Sequence, residues 1–221
     1  MKLKILIFLI SVISVIATAV IYPQLPEKIP VHWNIYGEID RYSDKAYAFL
    51  LAAIPFIMLI LMRLIPKIDP RRDSYQKHKK AYEIVILSIV LFMIGVHWAS
   101  MLAALNFLVD VSFLVKMFVG ILFIITGNYM TQVKHNYTFG IRTPWTLASE
   151  TVWHKTHRVG AYLFFICGFI WFALSVVNKP VVFFILISLT VGMSLYLIIF
   201  SYFLFEKERK SSENENKKNQ N

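Results

Sequence analysis

The sequence predicts an all-α integral membrane protein, a bundle of about six transmembrane helices. Apolar residues make up 57% of the 221-residue chain and charged residues only 16%, whereas about a quarter of the residues in a soluble domain are charged. The apolar residues form long runs, and most basic residues lie between those runs. The runs are too long and too uniformly apolar for the alternating strands of a membrane barrel.

Six runs are close to the length at which a helix crosses a bilayer. About 20 apolar residues suffice, because a helix rises about 1.5 Å per residue and the hydrocarbon layer is about 30 Å thick. The fourth run is the shortest and contains Lys116. The predicted spans are residues 5–22, 46–65, 84–105, 111–127, 159–177 and 181–205.

The first span has a second interpretation as a secretory signal. Lys2 and Lys4 precede the apolar run, and the Ala-Thr-Ala sequence at 17–19 has the small-residue pattern of a cleavage site. The run continues to Tyr22, which favours a retained helix. The loop that follows is extracellular under either interpretation.

The basic residues predict the orientation of the helices. With a cytoplasmic N-terminus, 17 of the 23 Lys and Arg residues lie on inner segments and 4 on outer segments. The positive-inside rule then places both termini in the cytoplasm. Basic residues beside membrane spans contact anionic lipid headgroups, so their placement argues against nucleic acid as a partner.

The single cysteine, Cys167, lies in the fifth span, so we expect neither an internal disulfide nor a thiolate metal site.

The segments between the spans divide the chain into four parts. The last of them is rich in Lys, Glu, Asn and Ser and is predicted to be disordered. The parts are an N-terminal helix pair (1–65) with an outer loop (23–45), a cytoplasmic connector (66–82), a four-helix membrane domain (83–205) with a cytoplasmic segment (128–158), and a tail (206–221).

The outer loop is predicted to be ordered. Pro23, Pro26 and Pro30 forbid a helix at its start. Residues 31–34 are expected to be extended, and Gly37 marks a turn. The loop is too long for a plain connector and is stiffened by proline. We therefore expect a small ordered cap on the outer face.

The cytoplasmic segment 128–158 is predicted to contain an interfacial helix. Thr143 followed by Pro144 has the pattern of an N-cap and a first helical residue. A helix from this point would lie along the inner headgroup layer with its tryptophans at the interface. Its two faces would carry Trp145, Val152 and Trp153 on one side, and Glu150, His154, His157 and Arg158 on the other.

Two motifs resemble known families. Residues 25–34 read Leu-Pro-Glu-Lys-Ile-Pro-Val-His-Trp-Asn, and Gly37 and Asp40 follow. This motif resembles the Leu-Pro-x-x-Ile-Pro-x-His-Trp-Asn outer-loop signature of a small domain of unknown function that often precedes SdpI-type membrane domains. The inner segment holds a second, longer motif at Asn128, Asn136, Gly140, Arg142, Thr143, Pro144, Trp145, Trp153, His157 and Arg158. It resembles the cytoplasmic signature of the SdpI family, which are membrane immunity proteins against a secreted sporulation-delaying peptide toxin.

The resemblance implies that the protein protects its own cell against a secreted, membrane-active peptide toxin, by binding rather than catalysis. The expected toxin-binding residues lie in the outer loop: His32, Trp33, Asn34, Gly37 and Asp40. One alternative is a signal receiver that holds a cytoplasmic regulator through Arg142, Trp145 and their neighbours. A second alternative is a small-solute carrier, although no predicted span contains the carboxylate that ion-coupled transporters usually hold.

The sequence predicts neither catalytic residues nor a cofactor. It contains no phosphate-binding Gly-rich loop, nucleophile elbow or zinc-protease motif. His154 and His157 have the spacing of metal ligands on one helical turn, but no third ligand is evident, so no metal is expected.

Lys116 has two interpretations because it lies well inside the fourth span. Its side chain can extend to the outer headgroups. Alternatively it faces the bundle, where the tight turn at 106–110 brings it near His97 and Ser100 in a polar outer pocket.

Overall fold

The computed structural model describes residues 2–218, and within them six helices are long and apolar enough to cross a membrane. Two short helices, α3 (Ser74–Lys77) and α6 (Pro144–Ala148), lie between the long ones. This confirms the predicted all-α, multi-span membrane protein. The six long helices are α1 (Lys2–Ile21), α2 (Tyr47–Ile68), α4 (Lys79–Ala104), α5 (Val111–Met130), α7 (Glu150–Ala173) and α8 (Pro180–Lys218).

Each predicted span overlaps one of these helices, and each helix extends beyond its span at one end at least. α4 begins at Lys79 rather than at residue 84, and α7 begins at Glu150 rather than at 159. Hydropathy detects the part of a helix that lies in hydrocarbon, and polar turns that project from the membrane lack that signal.

The outer loop is a β-hairpin. Strand β1 (Lys28–Trp33) pairs antiparallel with β2 (Ile39–Asp44), with register irregularities around His32. Buried Ile29 packs with Met101 and Ala104, so the hairpin lies against the C-terminal end of α4. We call this the outer end of the molecule, following the predicted orientation. The expected ordered cap is present as a two-stranded sheet.

Helices α5 and α7 pack against each other more extensively than any other two elements of the described chain. Gly120 and Gly168 face one another across this contact. A Cβ atom on Gly120 would lie 2.6 Å from the backbone nitrogen of Phe172, and one on Gly168 would lie 2.6 Å from that of Ile124. Only glycine allows two membrane helices to approach at backbone distance in this way.

The structure corrects the predicted interfacial helix. α6 has only five residues, and Ser149 after it is extended, with φ −135° and ψ 127°. The hydroxyl of Ser149 accepts a hydrogen bond from the backbone N–H of Val152 and so begins a separate helix, α7. Residues from Glu150 onward therefore belong to a transmembrane helix. Trp153 is completely buried rather than at the headgroup layer.

The predicted disordered tail also differs from the structure, because α8 continues as a helix to Lys218. Arg209 forms ion pairs with Glu206 at 2.8 Å and with Glu213 at 3.8 Å, and such pairs one turn apart stabilise a helix. Glu208 accepts a hydrogen bond from the Ser149 hydroxyl at 2.6 Å. Residues 219–221 lie outside the described part of the chain.

Candidate functional site

Two of the predicted outer-loop residues build the turn of the hairpin. The side-chain oxygen of Asn34 accepts hydrogen bonds from the backbone N–H groups of Tyr36 at 2.9 Å and Glu38 at 3.1 Å. Gly37 has φ +80°, a left-handed conformation that favours glycine. Asn34 and Gly37 therefore shape the loop that holds the other candidate residues.

His32 and Asp40 form a pair across the hairpin. Nδ1 of His32 lies 2.6 Å from Oδ1 of Asp40. The two side chains are 54% and 41% exposed, so the pair lies at the surface of the outer end.

A cavity of about 530 Å³ lies between the hairpin and the outer ends of α5 and α8. Its volume falls within the range of about 300–1,000 Å³ that is typical of ligand sites. Apolar side chains form much of its wall, including Val96, Val111, Val115 and Phe183. The structure brings all five predicted outer-loop residues to this cavity: His32, Trp33, Asn34, Gly37 and Asp40.

Lys116 lines the same cavity. The residue is 3% exposed, and Nζ donates a hydrogen bond to the carbonyl oxygen of Val177 at 2.8 Å. The lysine therefore faces the bundle and does not extend to the outer headgroups. It places a cationic group at the wall of an otherwise largely apolar space.

The predicted pocket of His97, Ser100 and Lys116 is divided in the structure. His97 and Ser100 line a smaller cavity of about 80 Å³, whereas Lys116 lines the large one. Nε2 of His97 lies 2.8 Å from the Thr18 hydroxyl, and the Ser100 hydroxyl donates to the carbonyl oxygen of Pro30. Trp33 lines both cavities, as do Val31 and Val96, so the two spaces adjoin at these side chains.

At the inner end, the connectors before α4 and before α6 are joined by hydrogen bonds to Asp69. Its carboxylate accepts from the backbone N–H groups of Arg71 at 2.7 Å and Tyr137 at 3.0 Å, and from the Thr138 hydroxyl at 2.9 Å. The Tyr75 hydroxyl also donates to it at 3.0 Å. Burial raises the pKa of this carboxyl, but these four hydrogen bonds outweigh burial and hold it below its usual value.

Asn136 organises the second of these connectors. Its side-chain oxygen accepts from the N–H groups of Thr138 at 3.0 Å and Phe139 at 2.7 Å, while its amide donates to the carbonyl oxygens of Lys134 and Phe139. The side chain is completely buried. Asn136 therefore acts inside the protein.

Two buried histidines lie in the same inner cluster. Burial, and then the charge of Lys134, lower the pKa of His78 to about 4. Burial, and then the charge of Arg71, also lower the pKa of His135. Both histidines are thereby held neutral. Burial raises the pKa of the neighbouring Tyr75 to about 12.

Trp153 and His157 lie on one face of α7, four residues apart, rather than on the opposite faces that the sequence predicted. Their rings stack with centroids 4.0 Å apart. The Trp153 ring nitrogen donates to the carbonyl oxygen of Val133, and His157 Nε2 accepts from the N–H of Ile141 at 3.0 Å. Gly140, with φ +113°, allows the chain to turn against the His157 ring.

The remaining motif residues are capping residues, one half-buried tryptophan and exposed residues. Thr143 and Thr146 form a reciprocal capping box, with Pro144 at the first turn of α6, so the predicted N-cap is confirmed. Trp145 is half-buried against Tyr202, with ring centroids 5.2 Å apart. The exposed residues of the motif include Asn128, Arg142 and Arg158. Arg142 donates to the carbonyl oxygen of Tyr137 at 3.1 Å.

The arrangement does not provide a metal centre within the described residues, where no three His, Cys, Asp or Glu side chains converge. His154 lies 3.5 Å from Glu150 and exposes 41% of its side chain. Both ring nitrogens of His157 are already hydrogen-bonded.

Sequence reasoning missed Asp69, which connects the two inner connectors. The Ile-Asp-Pro sequence at 68–70 was its available signal, because an aspartate before proline commonly caps a turn. What the local sequence lacks is any sign of the distant partners at 137–138.

Comparisons with known proteins agree with the predicted resemblance. Residues 132–202 match the SdpI/YfhL protein family, and residues 9–59 match a domain of unknown function (DUF1648). The Immunity protein SdpI of Bacillus subtilis (strain 168) is 28% identical over 207 residues, which cover 94% of this chain and 98% of that protein.

A second relative is an uncharacterized protein of Archaeoglobus fulgidus, 28% identical over 111 residues that cover 38% of this chain and 61% of that protein. No solved structure matches the chain significantly. The similarity to the Immunity protein SdpI along most of the chain and the six apolar helices together support a bacterial, multi-pass plasma membrane protein that is similar to the SdpI/YfhL family.

Proposed function

We propose that this protein, a multi-pass plasma membrane protein whose sequence matches the SdpI/YfhL family, protects its cell by binding a secreted peptide toxin at the outer end. The observation that carries the proposal is the outer cavity of about 530 Å³, to which all five expected toxin-binding residues of the outer loop contribute. A secreted peptide reaches this end of the protein first.

The character of the cavity supports binding of an apolar peptide. Valine and phenylalanine side chains line it, and Trp33 is half-buried at its edge. Tryptophan is enriched among residues that dominate binding energy. The hairpin is fixed by the turn at Asn34 and by the pair between His32 and Asp40. A preformed loop loses less conformational entropy on binding than a mobile one.

The inner motif favours the outer end as the binding surface, because many side chains of the inner motif are buried and contact other parts of the protein. Asn136, Trp153 and His157 are buried and hydrogen-bonded to neighbouring backbone. Their evident role is to hold the inner connectors to α7.

Anionic lipid headgroups are a second proposed partner, at the inner end. A cavity of about 520 Å³ there is lined by Lys67 and Lys79 together with the apolar side chains of Ile7 and Leu59. Cations beside an apolar space suit a headgroup phosphate and its acyl chains.

The experiment that tests the proposed function is a survival assay with matched strains that carry or lack the gene, challenged with a panel of secreted antimicrobial peptides. We expect the gene to raise survival against at least one peptide and to prevent membrane depolarisation by it. Equal survival against every peptide, together with retention of a cytoplasmic protein on the membrane, would favour the signal-receiver alternative.

Binding and chemistry are separated by recovering the peptide. If the protein binds the toxin, the peptide extracted from resistant cells has its original mass. A cleaved or modified peptide that is found only in cells with the gene would contradict the binding mechanism and indicate catalysis.

A further inference from the structure

The outer cavity has a polarity that changes from its rim to its wall. At the rim, the paired side chains of His32 and Asp40 are about half exposed. Lys116, by contrast, is 3% exposed. It lies five residues into α5, which is about 7.5 Å below the outer end of that helix. The cavity therefore offers a buried cation beneath an exposed, already paired set of polar groups.

The charge of Lys116 is not matched by an ion pair within the described residues. Asp110, a nearby carboxylate, caps α5 by accepting from the N–H of Phe113. Asp40 lines the cavity but is engaged by His32 at 2.6 Å. The described structure gives Lys116 Nζ one acceptor, the carbonyl oxygen of Val177, whereas an ammonium group has three N–H bonds to donate.

A buried cation without an ion pair is stabilised when an anion binds beside it. The largely apolar wall of the cavity favours an anion that is attached to apolar groups. Building on the proposed function, we infer that Lys116 binds the C-terminal carboxylate of an apolar peptide segment, whose side chains occupy the cavity beside Trp33. A carboxylate supplies acceptors for the remaining N–H bonds in a charge-assisted contact.

The test uses the purified full chain in lipid nanodiscs and three probes. Two are acetylated tetrapeptides of leucine, phenylalanine and valine, identical except that one ends in a carboxylate and the other in an amide. The third is octanoate. Binding is followed by the tryptophan fluorescence of the protein, with the Trp33→Phe protein as the reference for signal from other tryptophans.

We expect the carboxylate peptide to bind at least about tenfold more tightly than the amide peptide, which is the usual effect of one hydrogen bond to a charged group. Lys116→Met should abolish this difference while leaving the affinity for the amide peptide unchanged, which also shows that the variant is folded. Lys28→Met should preserve the difference, because Lys28 is exposed and pairs with Asp44 outside the cavity.

Equal binding of the two peptides, no binding of either, or an undiminished difference in Lys116→Met would overturn the inference. Displacement of the peptide by an equal concentration of octanoate would assign the site to fatty-acid carboxylates instead. A failure of this kind leaves the proposed function standing if the gene still raises survival in the toxin assay. If the gene does not raise survival in that assay, the proposed function itself is contradicted.

Discussion

Trp33 lies where the two outer cavities adjoin, because it lines the small one with His97 and the large one with Lys116. Its neighbours in the motif have evident structural duties: Asn34 and Gly37 form the turn, and His32 and Asp40 pair across it. Of these five residues, Trp33 is therefore the one whose side chain takes part in neither the turn nor the pair.

We predict that Trp33→Ala lowers toxin resistance at least tenfold with little change in membrane abundance, because the variant loses an aromatic contact surface. The measurements are survival and immunoblot abundance in the same cells. Glu27→Gln is the matched control, since Glu27 is exposed and pairs with Lys45. Full resistance of Trp33→Ala at normal abundance would remove the hairpin from the mechanism. Lower abundance of Trp33→Ala, with normal function in Trp33→Phe, would indicate that the residue only seats the hairpin.

His78 gives a prediction about pH. Its pKa is about 4 in the folded protein and about 6.5 in an unfolded chain. Between these values the unfolded chain binds a proton that the folded chain does not, so stability should fall as the pH is lowered from 6.5 toward 4. The depressed pKa of His135 acts in the same direction.

The measurement is the melting temperature of the solubilised protein between pH 7.5 and 5. His78→Asn retains an acceptor for the N–H of Lys134 but does not titrate, so its melting temperature should depend less on pH. His154→Asn, at a partly exposed position, is the control. If the melting temperature of His78→Asn depends on pH as strongly as that of the unchanged protein, His78 is not a source of the pH dependence.

At the scale of single residues, the sequence could indicate which positions matter but only partly what they do. The five outer-loop residues that the motif singled out line one cavity, because short sequence separation and proline keep them together. Asp69 and His78 could not be predicted, since their environment depends on contacts with residues 134–138 that are far away in the sequence.

Among the elements, the short helix α6 and its preceding turn present an exposed guanidinium at the inner end. Arg142 donates to the carbonyl oxygen of Tyr137 and so links this turn to the Asp69 cluster, because the N–H of Tyr137 binds Asp69. The prediction of one long interfacial helix failed at this point. A five-residue helix with its own capping box and a second cap at Ser149 cannot be distinguished from a continuous helix by apolar periodicity.

We predict that Arg142→Ala reduces resistance severalfold while the protein remains inserted at normal abundance. Lys77→Ala, an exposed cation on the other inner connector, should retain resistance. Arg142→Lys tests whether charge suffices, because an ammonium group lacks the planar fork of donors. Survival and membrane fractionation are the measurements. Equal behaviour of Arg142→Ala and Lys77→Ala would mean that any inner cation serves.

Across the whole molecule, the number and order of the long helices followed directly from hydropathy, because each crossing of the hydrocarbon requires its own apolar run. The hairpin, the glycine contact between α5 and α7, and the continuation of α8 did not. The hairpin and the glycine contact depend on pairing between segments, and the continuation of α8 depends on ion pairs along its polar end, and hydropathy encodes neither.

The orientation is the prediction that belongs to this scale. Reporter fusions after Asp73, Thr138 and Lys210 should report cytoplasm, and fusions near Gly37 and Asn178 should report the outside, as the distribution of 17 inner and 4 outer basic residues implies. Fusions to each site are compared at equal expression. A cytoplasmic signal at Gly37 would reverse the topology and remove the outer cavity from contact with secreted peptides.

The backbone contact of Gly120 with Gly168 has a mechanical consequence. No layer of side chains separates α5 from α7 at this point, so we expect the two helices to move together as one rigid pair. Lys116, on α5, lies near the outer end of this helix pair, and Trp153, on α7, lies near its inner end. A tilt of the α5–α7 pair at one surface of the membrane would therefore also displace its end at the other surface.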